Sequence, residues 1–397
     1  RVASRGLGDV YKRQMFMIGL ELIGLKAQPK SLNRHQSGRP LIKGNCVVMF
    51  PTNGVGFGHF TRMLALAKRM KAEDANLEVI FFTTMPTLHL LKPYGIPAHH
   101  ISGPKYFKGV DSQEWNALLE EELTLCIETH KPSMFVFDGA FPYRGMLRAI
   151  EGRTNLNKVW MRRGMFRKGA RIPVDSIQHF DSIVRPGDAI DEHEEELEHG
   201  VDLMTCPPIV LLDESDLLFR EKARFRLGIP LDCRAVYVQL GAGQINDITS
   251  EIRITLDEIL KHDDIHVVLG ESMIGSIIDV QMPNVHVLRD YPNSQYFKGF
   301  DAVIQAGGYN SFHETRAFGL PALFYPNHET GMDDQLARCM VAEEEGWGYV
   351  VENRTQENIQ SGIQKLLNHS GQGTPIMGEN GAETLSKALS ARLEVKR

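Results

Sequence analysis

The 397-residue chain is short of cysteine, of surplus charge and of long apolar runs, and each shortage removes a class of explanation. Its five cysteines (Cys46, Cys126, Cys206, Cys233 and Cys339) lie far apart, with no CxxC pair. Neither a zinc knuckle nor a disulfide framework can be read from them, and free thiols suit a reducing compartment, so a cytoplasmic location is expected. Lys and Arg total 44 against 50 Asp and Glu, a net charge of −6. No basic surplus is available to neutralise a row of phosphates, which argues against nucleic acid as a partner. The apolar stretch Phe16–Leu25 is interrupted by Glu21 and falls short of the roughly 20 residues that a spanning helix needs. No transmembrane segment is expected. What is present is ordinary for a folded protein, 42% hydrophobic and 24% charged residues, at a length suited to two or three domains.

Arg1–Gln14 (RVASRGLGDVYKRQ) resembles translated sequencing-adapter read-through and is set aside as non-native. Residues 15–43 read as an N-terminal extension. From Gly44 onward, short apolar runs alternate with helical patterns, which predicts a layered α/β protein. Expected strands are Asn45–Phe50, Glu78–Thr83, Met134–Asp138, Lys158–Met161 and Asp181–Val184. A second series follows at Ala235–Leu240, Ile265–Leu269, Val285–Leu288, Asp301–Ile304, Pro321–Tyr325 and Tyr349–Val351. Runs this continuous fit strands buried on both faces of a parallel sheet. Phe60, Met63, Leu64, Ala67 and Met70 mark one helix face, and Ile252, Leu256, Ile259 and Leu260 another. Cys206-Pro207-Pro208 and the polar stretch after it divide the series. The expected architecture is two doubly wound Rossmann-like domains, 44–204 and 231–397, joined by a linker at 205–230 and facing a central cleft. Ala382–Lys396 reads as a closing helix.

Ligands of open parallel sheets bind beyond the carboxyl ends of the strands, where glycine loops lead into helices. Three such loops stand out. The first, Gly54-Val-Gly56-Phe-Gly58-His59, enters the helix that begins near Phe60; its free N–H groups favour an anion. A nicotinamide-cofactor fingerprint would require glycine where His59 stands, and the acidic residue expected after the next strand is instead Glu78, at its start. The second loop holds Gly241 and Gly243 and reads equally as a plain strand-to-helix turn. The third, Gly307-Gly308-Tyr309-Asn310-Ser311-Phe312-His313-Glu314, would bring backbone and side-chain donors to one point, as a diphosphate needs. Glu314 lies on nearly the same helix face as Ser311 and can accept two hydrogen bonds from a ribose diol. The alternative there is a capping box of Ser311 with Glu314 that merely closes a helix end. His59 can act as a base near neutral pH. Asp138, ending its strand at the same edge, can orient that imidazole or simply cap the next turn.

The third loop resembles the nucleotide-sugar signature of the GT-B glycosyltransferases. Gly308-Tyr-Asn310-Ser311-x-x-Glu314 is similar to the GWNS-x-x-E core of the UDP-glycosyltransferases, with Tyr309 in place of tryptophan and Ala306 where plant-type members carry histidine. Gly319-Leu-Pro321, Tyr325-Pro326 and Asp334-Gln335 resemble the later positions of that signature. Gly56-Phe-Gly58-His59-x-x-Arg62 loosely resembles the N-terminal loop of the peptidoglycan lipid-intermediate GlcNAc transferases. The resemblance implies that Asn310 and Ser311 meet the phosphates, Glu314 the ribose, Asp334 and Gln335 the transferred sugar, and that His59 is the base. The expectation is therefore an inverting, metal-independent glycosyltransferase of hexosyltransferase type. It would use a nucleotide-diphosphate sugar, most simply a UDP-sugar, with no other cofactor. The acceptor is a hydroxyl compound of unread identity. A sugar-nucleotide epimerase of related fold and a non-catalytic nucleotide-sugar-binding protein are the alternatives.

Other features read as structural. The basic run Arg162, Arg163, Arg167, Lys168 and Arg171 suits a solvated loop, with an anionic acceptor or a peripheral membrane contact as the alternative. Asp188–Glu198, with His193 and His199, reads as a solvated acidic helix; metal binding is the alternative there, but the spacing fits no ligand pattern. Trp115, Leu118, Leu119 and Leu123 read as core or cleft lining. His99-His100 and Cys339 are read as structural, and no metal site is expected.

Overall fold

A computed structural model describes residues 45–52, 56–162, 174–190, 201–241, 248–273, 280–328, 330, 333–369 and 378–395. The described residues form two wholly parallel sheets. The first comprises β1 (Cys46–Pro51), β2 (Glu78–Thr83), β3 (Ala98–His100), β4 (Met134–Asp138), β5 (Asn157–Met161), β6 (Ser182–Pro186) and β7 (Asp202–Cys206). The second comprises β8 (Arg234–Gln239), β9 (Ile265–Gly270), β10 (Val285–Leu288), β11 (Ala302–Gln305), β12 (Ala322–Phe324) and β13 (Gly348–Val350). Their orders, β3-β2-β1-β4-β5-β6-β7 and β10-β9-β8-β11-β12-β13, are both doubly wound. In each the order reverses beside the first strand, β1 against β4 and β8 against β11, which is where such sheets bind ligands.

The helices are α1 (Gly58–Glu73), α2 (Ser112–His130), α3 (Arg144–Ile150), α4 (Arg220–Leu227), α5 (Ile248–Ile259), α6 (Tyr309–Ala317), α7 (Gln335–Glu344), α8 (Gln356–Leu367) and α9 (Gly381–Val395). Successive β1 residues point to opposite faces, so the strand feeds two cores. Val47 and Met49 pack under Phe60, Met63 and Leu64 of α1, while Cys46, Val48 and Phe50 pack under Trp115, Leu119 and Leu123 of α2. The second sheet is covered by α5 and α8 on one face and by α4, α6 and α7 on the other.

Two segments join the lobes. Ile209, Leu211, Leu212 and Leu217 are buried in the first lobe's core, and only a few residues later Ala223 of α4 enters the second's. Helix α9 then returns to the first lobe, where Ala382, Leu385, Leu389 and Leu393 complete the core around α1. Of the readings set aside as structural, Trp115, Leu119 and Leu123 are core and Leu118 is exposed. Arg162 is not a solvated residue: it is 3% exposed, its guanidinium 5.5 Å from the Trp160 ring centroid. Asp188 is not solvated either, but buried between the lobes. Arg163, Arg167, Lys168 and Arg171, the acidic stretch 191–198, and Gly54 and Gly243 lie outside the described residues. No helix among the described residues is long and apolar enough to cross a membrane.

Candidate active site

The register of β1 on β4 pairs Pro51 with Asp138, so the first glycine loop leaves the sheet beside that carboxylate. Asp138 is fully buried and meets two side chains of the first turns of α1. Its Oδ1 lies 2.7 Å from His59 Nδ1 and accepts from an Arg62 terminal nitrogen at 2.7 Å, while Oδ2 accepts from Arg62 Nε at 3.1 Å. Residues 59 and 62 stand one helical turn apart, which is why one carboxylate reaches both. Burial alone would raise Asp138, but the charges of Arg62 and His59 outweigh it and hold the carboxyl below the usual carboxylate range. An ionised carboxylate only accepts, so the short contact requires the proton on His59 Nδ1. The ring's basic lone pair is then at Nε2, on a side chain that is 18% exposed.

Helix α6 meets this group from the second lobe. Asn310 Nδ2 donates to the Gly58 carbonyl at 3.3 Å, and Tyr291 shares a 2.9 Å hydrogen bond with Thr61 and packs its ring on Phe57 and Phe60. Neither α1 nor α6 has a side-chain cap or an acidic residue in its first turn. Their first-turn N–H groups have no partner within the helix, and each N-terminus carries the positive end of its helix dipole. The capping box read for Ser311 and Glu314 is not formed. The cap of α6 is Gly308, and Ser311 already lies inside the helix.

The glycines divide by role. A Cβ at Gly307 would stand 2.1 Å from Cys339 Sγ, so that glycine serves the packing of α6 on α7. Among the described residues nothing lies within 4 Å of a Cβ added at Gly56, Gly58 or Gly308, and Gly241, at φ +100, turns the chain after β8. Glu314 accepts from Ser294 Oγ at 3.1 Å, and burial pushes its carboxyl up to about 7. Asp334 caps α7 through Ala337 N–H at 3.0 Å, and Gln335 accepts from Asn327 N–H at 3.0 Å, so both hold the loop that enters α7.

Sequence reasoning missed a buried cluster beside the site. Asp188 accepts from Arg338 through both oxygens, at 2.8 and 2.7 Å, and lies 3.0 Å from His313 Nε2. Arg338 also donates to Asp333 and to the Gly307 carbonyl. Tyr309, the residue that departs from the signature's tryptophan, uses its hydroxyl to donate to the Gly187 carbonyl and accept from Ile209 N–H. Arg62 and Arg338 lie 5.1 and 5.8 Å from its ring centroid, so the ring also connects the two buried arginines. The signal available was the GHxxR spacing for Arg62; nothing local marked Asp188.

No family model matches the chain. It is 26% identical over 336 residues, 77% of this chain and 86% of its relative, to an uncharacterized glycosyltransferase of Methanosarcina acetivorans. Among solved structures it superposes on the glycotransferase of kitacinnamycin with a TM-score of 0.61 at 13% identity, covering 88% of this chain and 99% of the other. It superposes on the spinosyn rhamnosyltransferase SpnG complexed with thymidine diphosphate with a TM-score of 0.52 at 14% identity, covering 88% and 96%. At these identities the structural likeness is one of fold. The fold is thus that of the GT-B enzymes, and the sequence relative is itself described as a glycosyltransferase.

Proposed function

We propose that the protein transfers a sugar from a nucleotide-diphosphate donor to a hydroxyl acceptor in the cleft between the lobes, with inversion at the anomeric carbon and without a metal. The observation that carries this reading is the Asn310–Gly58 hydrogen bond, which sets the uncapped N-terminus of α6 against the loop that presents His59. In this reading His59 Nε2 takes the proton of the acceptor hydroxyl, whose oxygen bonds to the anomeric carbon on the face opposite the leaving group. The carbon–oxygen bond to the diphosphate breaks, and its electrons leave on the phosphate. Asp138 holds the ring and stabilises the imidazolium. The N–H groups of α1 and α6, with Asn310 and Ser311, meet the departing charge, which is what makes a metal dispensable. Glu314 would bind the ribose, Asp334 and Gln335 the sugar, and Gly241 and Gly243 would line the donor side.

The donor base is proposed to be uracil, from the signature at Gly308–Glu314; the thymidine diphosphate bound by SpnG makes thymine the direct competitor. A cytoplasmic setting is proposed from the free cysteines. A calorimetric titration with UDP and TDP, followed by product analysis with the matching sugar donors, tests the reading. Binding of one diphosphate together with acceptor-dependent release of it is the expected result. Free epimerised sugar without acceptor, or binding without turnover, would replace it with the epimerase or the binding protein.

A further inference from the structure

A second cluster of ligand-type side chains lies on the edge of the first sheet, among residues the transfer reaction does not use. Cys126 and His130 sit four residues apart near the end of α2, a spacing that puts both on one helix face. His99 reaches them from β3, and the ligand atoms of all three lie within 4.8 Å of one another. The imidazoles face each other through their Nε2 atoms at 2.9 Å. Such a pair satisfies itself as a hydrogen bond only when one ring presents a lone pair and the other an N–H. The His99 ring is stacked on buried Phe82, centroids 6.4 Å apart, so its direction is set by the core. The Cys126 thiol is 1% exposed, and burial pushes it up to about 12. A thiolate there needs an adjacent cation.

We propose that His99, Cys126 and His130 form a zinc site that fastens the edge strand β3 to helix α2. Two imidazoles and a thiolate are the donor set of a borderline-soft tetrahedral ion, not of calcium or magnesium. Both histidines bind through Nε2 in the Nδ1–H form, and the Cys126 thiol proton passes to solvent. Glu122, one turn before Cys126 on the same helix face, or a water takes the fourth position. The site has a structural purpose. Among the described residues β3 is a three-residue edge strand that pairs with β2 alone, and such strands gain most from an added tie.

The test uses the full chain, stripped with a chelator under a non-thiol reductant, then titrated with Zn²⁺ and, as a spectroscopic probe, Co²⁺. One equivalent of Zn²⁺ should bind and raise the melting temperature. Co²⁺ should give tetrahedral d–d bands with a thiolate charge-transfer band. His99→Gln and His130→Gln should each lose the bound equivalent and the thermal shift, while Cys126→Ala should lose the charge-transfer band. Because the two histidines are not core residues, their variants keep the test valid if Cys126→Ala folds poorly. Absence of a bound equivalent in the parent chain, or zinc held equally well by His99→Gln and His130→Gln, would overturn the proposal.

Discussion

At the scale of single residues, the proposed catalysis and donor binding turn on His59 and Glu314. If His59 is the base, His59→Ala should lower kcat by about 10²–10⁴-fold while leaving nucleoside-diphosphate affinity close to the parent's, as read by steady-state kinetics and calorimetry. Asp138 is less separable. Removing it strands Arg62, which is 2% exposed, and breaking such a buried pair costs on the order of 3–5 kcal/mol, so Asp138→Ala should show first as a fall in melting temperature. Glu314 gives a pH signature. Its carboxyl is raised from 4.5 to about 7 in the folded protein, so the stability it contributes is complete below pH 4.5 and is lost as pH rises through 7. The slope is at most about 1.4 kcal/mol per pH unit. Glu314→Gln should flatten that slope in denaturant titrations. If the ionised carboxylate accepts from the ribose, diphosphate affinity should also rise from pH 6 to 8 in the parent and not in the variant. His59, Asp138, Asn310 and Glu314 were legible in the sequence because each stands at a strand end or in a helix's first turns, where local pattern fixes position. Arg338 and Asp188 were not, since 150 residues separate them and their pairing is purely tertiary.

At the scale of elements, the sequence was legible wherever a strand is a continuous apolar run. Such runs located all eleven expected strands: nine lie inside the sheets, where burial on both faces leaves little polar alternation, and the half-buried edges β10 and β13 still carry short apolar runs of their own. The strands it missed, β3 and β7, are edges: residues of β7 are mostly exposed, and β3 is His-rich and three residues long. These two borrow their conformation from a neighbour, so their own sequence says little. The closing helix α9 was visible, but its partner was not, since amphipathic periodicity names a face and not the surface it covers. Leu389 of α9 is fully buried in the first lobe's core, and Leu389→Ala should cost about 2–5 kcal/mol by chemical denaturation. The adjacent glycines of the third loop make a sharper comparison. Gly307→Ala, whose added Cβ would collide with Cys339, should lower stability by about 1–3 kcal/mol. Gly308→Ala meets nothing within 4 Å, so it should leave stability nearly unchanged and weaken diphosphate binding instead.

At the scale of the whole molecule, the lobes are held in register by polar contacts that also border the site. Tyr309, Asp188, Arg338 and His313 form one buried network from β6's exit loop to α6 and α7. Burial would raise Asp188, but Arg338 and His313 hold it far below the ordinary carboxylate range. Its contribution to stability is therefore present above pH 3.8 and lost as the pH falls below that. Arg338→Met leaves this carboxylate with only His313 and the Ala189 N–H and should destabilise the protein by about 3–5 kcal/mol. The ends of β1 and β4, the first turns of α1 and α6 and this network thus meet at one place.

The sharpest test is a crystal structure of the protein with the nucleoside diphosphate it binds best. Phosphate oxygens are expected within hydrogen-bonding distance of backbone N–H groups in the first turn of α6, with the ribose on Glu314 and His59 Nε2 turned toward the sugar's position. A nucleotide seated elsewhere, or one that leaves Asn310 and Glu314 untouched, would refute the proposed site.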